Sequence, residues 1–151
     1  MKLEIMVLGP LETNCYLLWD EQTMEAAVID PGASGQKIAD RLAQNGLMLR
    51  MILLTHAHFD HILSLERVRK ATGAPLAAHR YDAPALADPS ISYMSQYAGK
   101  NSPEEPPESL LDDGDTITIG ESVLRVMHTP GHTPGSVIYI SEEPRFILSG
   151  D

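Results

Sequence analysis

The chain has a single cysteine, Cys15, so no disulfide can staple its 151 residues, and the neighbouring Tyr16, Leu17 and Leu18 mark that thiol as a small buried hydrophobe. Cations are scarce: Lys and Arg number 11 against 21 Asp and Glu, for a formal charge of -10. A phosphate-backbone partner would need a segregated basic patch, and none is present, so nucleic acid is excluded as the expected partner. No apolar run approaches membrane-spanning length, and Met1 to Met6 alternates polar and apolar residues where a secretory leader would place a basic stretch before an apolar block. The expectation is a cytoplasmic protein with no membrane partner. The length suits one globular core, and residues 1–151 are read as one domain.

What is present is an alternation of strand-like and helix-like segments. Leu3 to Leu8, Asn14 to Trp19 and Glu25 to Ile29 read as strands of a meander broken at Gly9-Pro10 and Asp20-Glu21. After Asp30-Pro31-Gly32, Ile38, Ala39 and Leu42 follow Ser34 at helical spacing, with Gly46 as the stop. Met51 to Leu54 is a continuous apolar run, the pattern of a strand covered on both faces. Ile62, Leu65, Val68 and Ala71 predict a second helix ending at Gly73-Ala74-Pro75, and Pro75 to His79 predicts a strand. Tyr81 to Ser109 is polar and proline-bearing, a helical excursion plus loop. Strands return at Thr116 to Ile119, Ser122 to Met127, Ser136 to Ile140 and Phe146 to Ser149. The class is α/β.

Directly after the buried strand, Thr55-His56-Ala57-His58-Phe59-Asp60-His61 places three of the six histidines and a carboxylate within six positions. If strand geometry persists through His58, His56 and His58 point to one side, because side-chain direction repeats every two residues. Two imidazoles can then share one metal. Asp60 and His61 lie where the chain turns into a helix beginning near Ile62, so they can serve a second ion. Imidazole and carboxylate suit zinc, iron or manganese, and the lack of thiolates points to an open, catalytic site. A second element, Thr129-Pro130-Gly131-His132-Thr133-Pro134-Gly135, holds His132 between two Pro-Gly pairs in a rigid loop. The third is Ser149-Gly150-Asp151, a strand ending in a carboxylate. His128 and His79 are read as hydrogen-bonded strand-end residues, and Asp112 to Asp115 as a solvated turn without metal. Tyr81, Tyr93 and Tyr97 read most simply as a packed lid, while Arg80, Lys100 and Arg145 are cations that could meet substrate carboxylates.

These three blocks, with Asn14-Cys15-Tyr16-Leu17 and Val28-Ile29-Asp30-Pro31-Gly32, resemble the metallo-β-lactamase superfamily, in particular its hydroxyacylglutathione hydrolase (glyoxalase II) branch. The resemblance implies an αββα sandwich with metals at one edge between the sheets. It implies that His56, His58 and His132 hold a first metal, that Asp60 and His61 hold a second, and that Asp151 bridges both. Zinc, two ions per intact site, is the expected cofactor, with iron or manganese also suited. The activity implied is hydrolysis of a small-molecule glutathione thioester, S-acylglutathione, by a metal-bound hydroxide, with Asp60 as the catalytic carboxylate. Family members supply a further histidine from beyond the aspartate, so the chain is expected to be C-terminally truncated, with its second half incomplete and apolar surface free for self-association. Two alternatives stand beside thioester hydrolysis: a mononuclear iron persulfide dioxygenase using His56, His132 and Asp151, and a truncated, catalytically silent metal-binding domain.

Overall fold

The computed structural model describes all residues, 1–151, as two packed β-sheets with helices on one side. In the first sheet β1 (Lys2–Leu8), β2 (Thr13–Trp19) and β3 (Glu25–Ile29) form the expected antiparallel meander. It continues in parallel through β4 (Met48–Leu53), β5 (Leu76–His79) and β6 (Ser109–Leu111). The crossovers are α1 (Gly35–Gln44) between β3 and β4, then α2 (Phe59–Ile62) and α3 (Leu65–Thr72) between β4 and β5. The excursion after β5 holds α4 (Ala83–Ala87) and a π-helical turn, Met94–Ala98. The second sheet is antiparallel, in the order β10 (Phe146–Leu148), β9 (Val137–Ser141), β8 (Ser122–His128), β7 (Thr116–Ile119).

Strand periodicity distributes the apolar residues between two cores. Cys15, Leu17, Val28 and Ile52 face the helices and pack with Ile38 and Leu42 of α1 and Leu65 and Val68 of α3. Their alternates Leu18, Ile29, Leu53 and Ala77 face the second sheet and meet Leu124, Val126, Tyr139 and Leu148. That explains why β2 to β5 read as nearly unbroken apolar runs. The buried Tyr139 hydroxyl donates to Leu54 O at 2.6 Å, tying the sheets together at the end of β4. No helix follows residue 98, and Val123 and Ile147 on the second sheet are exposed, so the layers observed are helix, sheet and sheet. No helix is long and apolar enough to cross a membrane.

The helix expected from Ile62 starts earlier and breaks. His58 is extended, α2 begins at Phe59, and a new helix starts at Leu65. Ser64 is the reason: its N–H donates to Pro31 O at 2.9 Å and its hydroxyl accepts from Gly35 N at 3.1 Å, so the loop after β3 claims groups that a continuous helix would use. Asp60 and His61 therefore sit on a short helix of their own.

Candidate metal centre

The carboxyl ends of parallel strands are where open α/β sheets gather functional groups. Here the ends of β3, β4 and β5 deliver Asp30, the segment 54–58 and Asp82. The ladder of β4 stops at Leu53, so the convergence of His56 and His58 is the work of side-chain anchors on a loop, not of continued strand geometry. One anchor is Asp30, which is fully buried and accepts from Thr55 N at 2.7 Å and from the Thr55 hydroxyl at 2.6 Å. It also lies 2.9 Å from His61 Nδ1.

These contacts orient two imidazoles. The Asp30 carboxylate is acceptor-only, so His61 Nδ1 carries the proton and Nε2 presents its lone pair to the site. The single Thr55 hydroxyl proton goes to Asp30, so at 3.1 Å from His56 Nδ1 that oxygen accepts, and His56 Nε2 is likewise left with a lone pair. His56 and His61 are each 2% exposed, and both Nε2 atoms are buried without a hydrogen-bond partner. Orphaned buried polar atoms cost roughly 1–3 kcal/mol each, so a pair of them facing one space requires an occupant.

Burial, and then the neighbouring rings of His61, His58 and His132, push the His56 pKa down to about 2, which keeps its imidazole neutral. Burial and His132 also lower His58 against the opposing pull of Asp60 and Asp82. In His61 burial disfavours the charge, but the Asp30 hydrogen bond and the carboxylates of Asp30, Asp60 and Asp151 outweigh it and raise the pKa.

Distant segments complete the cluster. His132 stands 4.7 Å from His56 and 4.5 Å from His58, ring centre to ring centre. Asp151 reaches between two histidines, with Oδ1 at 3.5 Å from His61 Nε2 and Oδ2 at 3.8 Å from His132 Nε2. Two donor sets result, His56 with His58 and His132, and His56 with His61 and Asp151, the donor atoms within each set lying within 4.8 Å of one another. Nitrogen and carboxylate donors around two orphaned imidazole nitrogens fit a divalent cation.

Asp60 stands beside His61, its Oδ2 3.4 Å from His61 Nε2, and lies outside the two tight donor sets. The same oxygen accepts from the Thr13 hydroxyl at 2.9 Å. Gly32 is required beside it, because any Cβ there would collide with the Asp60 carbonyl.

Asp30, Thr55, Thr13 and Asp82 support the site without having been singled out as site residues. The available signal was an Asp at a strand end before Pro-Gly, and an Asp at a helix start before Ala-Pro. The hydrogen-bonded readings of His79 and His128 hold. His79 stacks on His128 at 4.1 Å, and His128 Nε2 donates to Pro134 O at 2.8 Å. Asp113 accepts from His128 N, and Asp112 forks onto Arg80.

A cavity of about 210 Å³ borders the centre, lined among others by His58, Tyr81, Ile91, Tyr93 and His132. A second of about 210 Å³ is lined by Leu8, Leu11, Thr13, Phe59, Asp60 and Tyr97. Neither contains a Lys or Arg. Arg80 is held by Asp112, and Lys100 by Glu66 and Glu104, so neither lines the site. Tyr81, Tyr93 and Tyr97 are 59%, 44% and 64% exposed, which makes them open rims and not a packed lid. A larger cavity of about 300 Å³ lies among Glu66, Arg69, Lys70, Glu104 and Glu108 and touches no histidine, so size alone does not locate the chemistry.

Comparison with known proteins agrees with this geometry. The metallo-beta-lactamase superfamily profile matches residues 8–151. The chain is 37% identical to the "Probable metallo-hydrolase YqgX" of Bacillus subtilis over 152 residues, covering 100% of this chain and 71% of the relative. It is 26% identical to "Hydroxyacylglutathione hydrolase GloC" of Haemophilus influenzae, covering 100% of this chain and 71% of that protein. Among solved structures, BLEG-1, a B3 metallo-beta-lactamase, superposes with a TM-score of 0.89 at 35% identity, over 98% of this chain and 71% of the other. TTHA1623, solved in a di-iron-bound form, gives 0.80 at 31%, over 97% and 70%. Such a fold with these histidine-rich donor sets implies divalent metal binding. The chain belongs to the metallo-beta-lactamase superfamily.

Proposed function

We propose that the protein is a metal-dependent thioester hydrolase acting on S-acylglutathione, with zinc as its cation. The observation that carries the metal reading is the pair of buried, partnerless nitrogens on His56 and His61, to which His58, His132 and Asp151 add the remaining donors. The substrate reading is supported by the likeness to a hydroxyacylglutathione hydrolase, and the lone thiol offers no competing nucleophile. Cys15 is fully buried, and burial followed by the Asp30 charge raises its thiol pKa, so it stays protonated and inert.

When bound, divalent cations supply Lewis acidity for the acyl carbonyl and make water nucleophilic near neutral pH. The chain's own residues supply position. Thr13 holds the Asp60 carboxylate in place through Oδ2, and that carboxylate orients the attacking water and accepts its proton. The new C–O bond forms as the C–S bond breaks, giving a carboxylic acid and a thiol. A thiolate whose parent thiol has a pKa of about 8.5 leaves without a dedicated general acid.

The test is turnover of S-lactoylglutathione by purified protein loaded with zinc, with a β-lactam as counter-substrate because of the likeness to BLEG-1. Thioester cleavage above the free-metal background, abolished in Asp60→Ala, is expected. Preferred cleavage of the β-lactam would overturn the substrate reading, and tight metal binding with neither activity would favour a silent metal-binding domain. Elemental analysis addresses the cation: two zinc ions per chain agree with hydrolysis, whereas a single iron with oxygen uptake on glutathione persulfide would favour the dioxygenase.

A further inference from the structure

Asp82 is a buried carboxylate that the proposed chemistry does not use. It stands at the N-terminal cap position of α4, where an aspartate ordinarily accepts from the helix's first N–H groups, yet it makes no such bond. Its carboxylate turns instead to the two histidine-bearing loops. Oδ2 accepts from Ala57 N at 2.9 Å, between His56 and His58, and from the Thr133 hydroxyl at 2.9 Å, next to His132. Oδ1 accepts from Gly135 N at 2.7 Å, in the same loop as His132. The residue is 3% exposed, so all three bonds form out of water, where charge-assisted hydrogen bonds are strong.

The surroundings are built for this clasp. A Cβ on Gly135 would lie 2.6 Å from Asp82 N and Oδ1, so only glycine lets the loop backbone approach. Thr133 has one hydroxyl proton and gives it to Asp82. The Ser136 hydroxyl, 2.8 Å away, then donates to Thr133 Oγ1, while Ser136 Oγ accepts from Thr133 N at 3.1 Å. The chain of bonds closes on itself and fixes the turn that carries His132.

We propose that Asp82 is a positioning residue that clasps the His56–His58 segment to the His132 loop and so sets the geometry of the three-histidine metal set. This rests on reading His56, His58 and His132 as one ligand set. Residues that orient metal ligands typically change metal affinity 10–100-fold when replaced. Asparagine at this position keeps the shape but turns an N–H₂ donor toward donors of Ala57 and Thr133 or of Gly135, and cannot satisfy all three.

The experiment measures Zn²⁺ affinity by competition with a chromophoric chelator, the visible spectrum of the Co²⁺-loaded protein, and the melting temperature of the metal-free protein. It compares the parent chain with Asp82→Asn, Thr133→Val and His132→Ala. Asp82→Asn is expected to bind zinc about 10–100-fold more weakly with an altered Co²⁺ spectrum, and Thr133→Val to show a smaller loss in the same direction. Parental zinc affinity and Co²⁺ spectrum in Asp82→Asn, with only the melting temperature lowered, would show a folding contact alone and overturn the proposal. Should Asp82→Asn fail to fold, parental affinity and spectrum in Thr133→Val would overturn it equally. His132→Ala separates the two levels: if it binds zinc as the parent does, the ligand set itself is wrong and the role of Asp82 falls with it.

Discussion

The two sides of the metal centre are held in different ways. His56 and His61 are buried, and both orient through a single fully buried carboxylate, Asp30, with Thr55 as the link. His132 and Asp151 have side chains 39% and 57% exposed, on a loop and at a strand end. One side is part of the core and assembles when the core does. The other is presented by loop backbone and depends on clasps such as the bonds of Asp82 to Thr133 and Gly135. A centre built this way has a buried wall and an exposed jaw, which is a useful division where substrate must enter beside a cation.

The largest expected effect is on the buried wall. Asp30→Ala strands Thr55 N, the Thr55 hydroxyl and His61 Nδ1, and breaking such a buried pair costs about 3–5 kcal/mol. Asp151→Ala, at an exposed position, is expected to cost no more than about 0.5 kcal/mol. Denaturant unfolding of the metal-free proteins checks both, and comparable losses would erase the distinction between wall and jaw.

Next comes metal content. His56 Nε2 appears in both donor sets and can serve one ion at a time, whereas His132 belongs to one set. Elemental analysis after gel filtration is expected to find His56→Ala emptied of metal and His132→Ala still holding ions at the His61 side. Equal losses in the two variants would mean that the sets do not act separately.

The smallest effect is one of pH on the jaw's support. Burial, and then His128, lower the His79 pKa from its ordinary 6.5, and His79 Nδ1 accepts from Tyr81 N at 3.3 Å. As pH falls below 6.5 the unfolded chain takes up a proton that folded His79 does not, so this contribution to stability is present above that pH and lost on acidification. His56 and His58 add slopes of the same sign in the metal-free protein. The readout is therefore a difference: stability of His79→Phe should fall less steeply than the parent's below pH 6.5, and parallel slopes would contradict the role given to His79.

Much of the wall and of the candidate ligand cluster was legible in the residues. The histidine cluster after an apolar run, His132 between two Pro-Gly pairs, and the meander of β1 to β3 all stand where local pattern places them. Local pattern missed what depends on distant partners. The α2 to α3 break follows from Pro31 and Gly35 claiming Ser64, and no periodicity around Ile62 announces it. Asp30 acts on residues 25 and 31 positions away, and Asp82 on residues 51 and 53 positions away, so each resembled an ordinary turn or cap until the sheet brought its partners near.

Anomalous diffraction at the zinc edge from crystals of the zinc-loaded protein tests the central claim most directly. The expected result is a cation about 2.0–2.1 Å from a ring nitrogen of each of His56, His58 and His132. Zinc bound elsewhere, with the His132 ring turned away and no anomalous peak among the three imidazoles, would contradict it.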